Sequence, residues 1–185
     1  MRIIAGKFRS RKLLSPPSTI TRPTADRARE SIFNIINNLG GCKIEDATVL
    51  DAFAGSGALG LEALSRGAAH VTFLEKNLQA INILKENIAS LDISSQCSVI
   101  QGDATRPPKA PHPMKLIFLD PPYDQTIEEP CLMGLQHQGW INSETLIVLE
   151  TSTKRALNLP TKAALIDQRR YGAALISFLS YKGED

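Results

Sequence analysis

The spacing of apolar residues changes character twice along the chain. In residues 2–14, Ile3, Ile4, Leu13 and Leu14 stand among basic side chains. That pattern predicts two short strands, RIIAG and RKLL, joined by a turn near Gly6 and Lys7. The following SPPSTITRP is rich in Pro, Ser and Thr and reads as a loop. Beyond Pro23, the residues Ala28, Ile32, Ile35, Ile36 and Leu39 recur at helical spacing. The predicted helix carries Asp26 in its first turn, where a negative charge suits the helix dipole, and Gly40-Gly41 ends it.

From residue 48 strands and helices alternate. A short strand at Val49-Leu50 ends at Asp51, a helix covers 58–66, and a strand over 70–74 ends at Glu75. Asn77 can cap the next helix, whose Leu78, Ile81, Leu84, Ile88 and Leu91 make one apolar stripe. A third strand spans 97–100, a Pro-rich stretch of no familiar pattern reaches residue 115, and 116–119 is wholly apolar, as a central parallel strand should be. A looser helical segment covers about 125–138, and a fifth strand 146–149. The tail changes period again: 163–170 and 173–181 flank Tyr171-Gly172, a hairpin signal. The fold expected is α/β, a doubly wound Rossmann-like sheet. It should be mostly parallel, with an antiparallel C-terminal hairpin and a small N-terminal β-hairpin extension.

Length and composition narrow this. A chain of 185 residues fits one domain with a small appendage, divided here as 1–22, the basic hairpin and loop, and 23–185, the main domain. At 43% hydrophobic it can bury a core, which excludes global disorder. No apolar stretch approaches the roughly 20 residues of a membrane span, and MRIIAGKFRSRKLL lacks the run of a secretory signal. Cys42, Cys97 and Cys131 form no CxxC pair, which predicts reduced thiols in a cytoplasmic protein. His70, His112 and His137 are widely separated, so no metal is expected. No spare apolar helix face stands out, which predicts a monomer.

Charge is unevenly spread. Residues 1–29 hold Arg2, Lys7, Arg9, Arg11, Lys12, Arg22, Arg27 and Arg29 against the single acid Asp26. This gives the segment +7 and, with a total of +2, leaves −5 for the rest. Such clustering is the footprint of a phosphate-backbone surface; a solvated basic segment without a partner is the plainer alternative.

In open α/β sheets ligands bind beyond the carboxyl ends of the strands, so the strand ends carry the functional question. The first leads into Asp51-Ala52-Phe53-Ala54-Gly55-Ser56-Gly57-Ala58-Leu59-Gly60, the second ends in Glu75, and the third is followed by Gly102-Asp103-Ala104. The fourth ends in Asp120-Pro121-Pro122-Tyr123. Gly55, Gly57 and Gly60 spell GxGxxG between strand and helix, where glycine lets the backbone turn and approach a ligand. Glu75 falls where an acid holds ribose hydroxyls, a pattern shared by NAD, flavin and S-adenosylmethionine sites. Asp51 favours the last: a carboxylate faces a pyrophosphate badly but a sulfonium well. Asp103 suits the adenine amino group, or simply a turn.

Two prolines after a buried strand fix the backbone and remove two donors, which leaves carbonyls as acceptors. Asp120 and the Pro121 carbonyl can accept both hydrogens of an exocyclic amine, and Tyr123 can stack on a flipped base. A structural turn with a packed Tyr is the alternative.

Together these residues resemble the class I methyltransferases that act on amino groups of bases. They are most similar to the bacterial RsmD-type family, which methylates guanine N2 in small-subunit (16S) ribosomal RNA. MRIIAGKFRSRKL, TRPTADRARESIFNI and DAFAGSGALGLEALSRGA followed by DPPY carry the resemblance, which spans most of the chain. It implies S-adenosyl-L-methionine as cofactor, held by Asp51, Phe53, Gly55, Gly57, Glu75 and Asp103 with their neighbours Ser56, Lys76 and Ala104. Thr24 would lie near the methionine end. It implies base binding and catalysis by Asp120, Pro121, Pro122 and Tyr123. RNA would be gripped by Arg2, Lys7, Arg9, Arg11, Lys12, Arg22, Arg27 and Arg29, the partner being 16S rRNA in the small subunit or an assembly intermediate. Phe8 departs from the Trp of many relatives. Three rivals stand beside this reading. A DNA adenine-N6 methyltransferase usually needs a target-recognition region. A nicotinamide-dependent dehydrogenase has no use for PPY, and an RNA-binding module that kept the fold has no use for two intact half-sites.

Overall fold

A computed structural model describes residues 1–16, 23–39, 42–122 and 125–182, with backbone only for 23–25. Thus Arg22, the Gly40-Gly41 helix stop and Tyr123 lie outside the described residues. In chain order the elements are α1 (Pro23–Asn38), β1 (Thr48–Ala52), α2 (Ala58–Ser65), β2 (His70–Glu75), α3 (Leu78–Leu91) and β3 (Cys97–Gln101). Then come β4 (Leu116–Leu119), α4 (Glu128–His137), β5 (Leu146–Ser152), β6 (Ala163–Tyr171) and β7 (Ala174–Tyr181). They form one seven-stranded sheet in the order β3-β2-β1-β4-β5-β7-β6. The first five strands in that order are parallel, while β7 runs antiparallel to both β5 and β6. Strand order reverses between β1 and β4, the switch point at which such sheets open a crevice.

Both faces are covered, and the strands are apolar on both sides for that reason. On one face α1, α2 and α3 bury Phe33, Leu61 and Leu84 against Val71, Phe73, Phe118 and Phe178. On the other, α4 brings Leu132 and Leu135, with Trp140, against Leu50, Ile117, Leu119 and Ile147. Asn77 caps α3 by accepting from Gln79 N (2.8 Å) and Ala80 N (3.2 Å). Leu78 is a correction: it is 59% exposed and no part of the stripe. It opens the first turn of α3, three residues after β2 ends. The Pro-rich 104–115 stretch is fixed from outside itself. Trp140 Nε1 donates to the Pro108 carbonyl (2.7 Å), Ala110 N to Gln138 O (2.8 Å) and Met114 N to Trp140 O (2.9 Å).

The N-terminal segment runs back on itself, but regular pairing is confined to a single antiparallel bridge, Arg2 with Lys12. The turn lies later than Gly6-Lys7, with Arg9 N bonded to Gly6 O (3.2 Å) and Arg11 N to Phe8 O (3.0 Å). The intervening donors are taken by α2 instead. Glu62, fully buried, accepts from Ile4 N (2.7 Å), Ala5 N (3.0 Å) and Arg66 Nε (2.7 Å). Ser65 O accepts from Lys7 N (2.7 Å) and Ser65 Oγ from Phe8 N (2.9 Å). The approach is so close that a Cβ on Gly6, at φ +81°, would fall 1.8 Å from Ser65 O. On the other arm, buried Asn87 accepts from Leu14 N (2.7 Å) and donates to Leu14 O (3.0 Å) and Ser56 O (2.9 Å).

Removing the Glu62 carboxylate strands two backbone donors and Arg66 in a dry site, a class of loss worth about 3–5 kcal/mol. Glu62→Ala should therefore free residues 1–14 to proteolysis while the sheet persists. Protection equal to wild type would show that the staple contributes little.

Candidate active site

All five parallel strands deliver their carboxyl ends to one edge, and an acid stands at or just beyond each. Asp51 lies within β1, 2% exposed, where its Oδ2 accepts the Gly60 N–H (2.8 Å) in the first turn of α2. The carboxylate therefore offsets the positive end of that helix. Burial, reinforced by the charge of Glu75 and opposed by the Gly60 bond, pushes its pKa up to about 7. Glu75, at the end of β2, accepts from Gly55 N (2.8 Å) and Asn77 N (2.8 Å), tying the glycine turn to the next strand.

The three glycines of the motif serve different ends. A Cβ on Gly57 would lie 2.4 Å from Leu84 Cδ1, and one on Gly60 2.4 Å from Phe73 Cε1, so both permit helix packing. A Cβ on Gly55, at φ +55°, would meet nothing within 4 Å. Only Gly55 opens the backbone to incoming matter. Phe53 shares its left-handed conformation at φ 70°, unusual for a residue with a side chain. Phe53 N and Ala54 N both bond to Leu74 O (3.0 and 3.2 Å), which holds the turn in place. Ser56 and Ala104 are buried and Lys76 is exposed. Asp103, beyond β3, accepts from the Thr105 amide (2.9 Å) and hydroxyl (2.8 Å) at one oxygen, a turn that lowers its pKa. Thr24 lies in the first turn of α1.

Asp120 follows the last residue of β4 and continues the row that contains Asp51 and Phe118. The same register puts Glu150 of β5 two residues beyond Val148, the partner of Phe118. Asp51, Asp120 and Glu150 thus project from one face of three adjacent strands. Desolvation, then repulsion from Glu150 and Asp51, raises the Asp120 pKa well above the ordinary carboxylate range. Asp120 is exposed at the strand end, so water tempers both the desolvation and the repulsion. Pro121 is buried, Pro122 is exposed, and the Pro122 carbonyl accepts from Gln125 N (3.2 Å). Glu150 was not singled out from the sequence. The signal was there: the apolar run of the fifth strand ends in an acid, as the others do.

The predicted basic residues Arg2, Lys7, Arg9, Arg11, Lys12 and Arg27 are all exposed. Arg2, Arg9 and Arg27 share a cavity of about 400 Å³ with Asp26 and Glu30. Arg29 is a correction to that set. It is 6% exposed and donates to Arg2 O (2.9 Å) and Asp26 Oδ1 (2.9 Å), so it holds the basic segment instead of presenting charge. Phe8 is half-buried against the core, beneath Lys7 Nζ at 5.2 Å. Among the described residues no group of three His, Cys, Asp or Glu side chains could hold a metal, and no helix is long and apolar enough to cross a membrane.

The model of the family described as Conserved hypothetical protein 95 matches residues 1–180. The chain belongs to this family, the RsmD family. The Ribosomal RNA small subunit methyltransferase D of Haemophilus influenzae is 37% identical over 187 residues, covering 98% of this chain and 93% of that protein. Its namesake in Escherichia coli is 36% identical over 185 residues, covering 100% and 90%. Among solved structures, Escherichia coli yhhF superposes with a TM-score of 0.86 at 34% identity, covering 100% of this chain and 99% of that one. Structural neighbours of this RsmD-family chain are class I methyltransferases, and by homology it is a methyltransferase.

The Asp51 carboxyl binds its proton more tightly in the fold than the ordinary value of 3.8. Stability is therefore lost as pH rises from about 4 to 7 and is level above that. Asp51→Asn keeps an acceptor for the Gly60 amide without the charge. It should stabilise the fold more at pH 8.5 than at pH 5.5, by about 2 kcal/mol. Equal gains at both pH values would show that Asp51 titrates normally.

Proposed function

We propose that this chain transfers a methyl group from S-adenosyl-L-methionine to the exocyclic N2 of a guanine in small-subunit (16S) ribosomal RNA. The observation that carries the reading is Asp120-Pro121-Pro122 at the end of β4, beside the glycine turn that follows β1. The residues fit the cofactor: the Gly55 backbone faces open space, and the surrounding carboxylates suit a cationic ligand with ribose hydroxyls. Asp51, Phe53, Gly55, Ser56, Gly57, Glu75, Lys76, Asp103 and Ala104 would hold it, with Thr24 at the methionine end. When bound, it supplies an electrophilic methyl group on a sulfonium.

The protein's own contribution is orientation and proton acceptance. A guanine amine is a poor nucleophile because its lone pair is delocalised into the ring. Hydrogen bonds to Asp120 and the Pro121 carbonyl draw both amine hydrogens aside and favour a pyramidal nitrogen, the geometry of the transition state. Once nitrogen is alkylated its proton becomes acidic. Asp120 is suited to receive it, since Glu150 and Asp51 raise its proton affinity. Tyr123 is assigned the stacking role on the flipped base. Arg2, Lys7, Arg9, Arg11, Lys12, Arg22 and Arg27 would grip phosphates, setting affinity more than sequence choice. The partner is then 16S rRNA in the cytoplasm, within the small subunit or an assembly intermediate.

The test is methyl-labelled S-adenosylmethionine with unmodified small subunits, naked rRNA or unmethylated DNA, followed by nucleoside mass spectrometry. N2-methylguanosine is expected. N6-methyladenine in DNA would keep the catalytic argument and overturn the substrate, and no product on any of them would overturn the reading. Asp120→Ala should abolish turnover and leave cofactor affinity nearly intact; equal loss of both would remove Asp120 from the chemistry. Reversing Arg9 and Arg11 to Glu should weaken RNA binding and flatten its salt dependence by roughly one to two phosphate contacts.

A further inference from the structure

The turn that carries Asp120, Pro121 and Pro122 is gripped from a neighbouring connection. Beyond β5 the chain turns sharply, with Arg155 N bonded to Ser152 O (3.2 Å) and Thr153 N to Ala173 O (2.9 Å). From that turn the Arg155 guanidinium reaches across to the segment leaving Pro122. Its Nη1 donates to the Gln125 carbonyl (2.6 Å), and its Nη2 to the Thr126 hydroxyl. The same Nη1 stands 3.7 Å from Glu128 Oε1, in the first turn of α4. Gln125 N in turn donates to the Pro122 carbonyl (3.2 Å).

The guanidinium suits this bridging position. It is a rigid planar fork whose two terminal nitrogens meet two acceptors at once, where lysine offers a single point. Its side chain is 26% exposed and that of Glu128 11%, so this ion pair is partly shielded from water, while the bonds to Gln125 and Thr126 lie at the surface. The grip also joins the two strands whose acids face one another: Asp120 follows β4, and Glu150 lies in the strand that leads to Arg155. Accepting two hydrogens of one amine demands that a carboxylate and a carbonyl be held together to within a fraction of an ångström.

We propose that Arg155 is a positioning residue, which holds the Asp120–Pro122 turn in the geometry that accepts the target amine. This rests on the methyl-transfer reading above.

The experiment compares wild type, Arg155→Ala and Arg155→Lys on small ribosomal subunits. It measures kcat and KM, cofactor affinity by calorimetry, and amide exchange across residues 121–131. Arg155→Ala should lower kcat roughly 10–100-fold, leave cofactor affinity within about twofold, and speed exchange in 121–131. Arg155→Lys should recover part of kcat, having one of the two donors. Wild-type kcat in Arg155→Ala, unchanged exchange, or parallel loss of kcat and cofactor affinity would each overturn the inference alone. Wild-type enzyme that methylates none of the offered nucleic acids would overturn the methyl-transfer reading, and this inference with it.

Discussion

Parallel pairing of the five strands β1 to β5 forces their carboxyl ends onto one edge, and that edge concentrates negative charge. Asp51, Glu75, Asp103, Asp120 and Glu150 all stand there. Desolvation, reinforced by neighbouring like charges, raises proton affinity, which is the state of Asp51 and Asp120. Two apolar cores, one on each face, supply the stability that tolerates this. Three of the carboxylates also hold the backbone together. Asp51 secures the first turn of α2, Glu75 the glycine turn, and Asp103 its own loop. The site is built by making the acids useful to the fold, with their remaining acceptor capacity directed to the cleft.

The basic segment is attached by the opposite logic. Its two arms bond to each other through Ile3, Ser10 and Leu13 N, and the donors this leaves over, at Ile4, Ala5, Lys7, Phe8 and Leu14, are taken by α2 and α3. Glu62 does for Ile4 and Ala5 what a neighbouring strand would do in a sheet. Arg29 and Asn87 fasten the two arms from beneath, so the remaining arginines and lysines are left to the surface.

Much of this was legible in the sequence. The strands β1 to β5 and helices α1 to α3 announce themselves because a sheet covered on both faces needs unbroken apolar runs, and helices above it need apolar stripes. Acids at four strand ends could be read for the same reason. What could not be read depended on tertiary partners. The N-terminal arms look like longer strands, since nothing in RIIAG shows that the Ile4 and Ala5 donors belong to Glu62. The Pro-rich loop has no pattern because its anchor is Trp140, some thirty residues on. Leu78 fits the stripe by spacing, yet stands exposed in the first turn of α3. Glu150 follows the apolar run 146–149 with no glycine or proline turn beside it to mark a ligand site. Arg155 is one arginine in a polar connection, and only its reach to Gln125 and Thr126 distinguishes it.

The attachment of the basic segment has a kinetic side. Its partners Glu62, Ser65, Asn87 and Ser90 lie 57 to 79 residues further along the chain. Closing loops of that size costs entropy that only an assembled surface can repay. Residues 1–14 leave the ribosome before α2 and α3 and therefore dock only after those helices have been synthesised and packed. Until then this most basic part of the molecule stays an untethered chain.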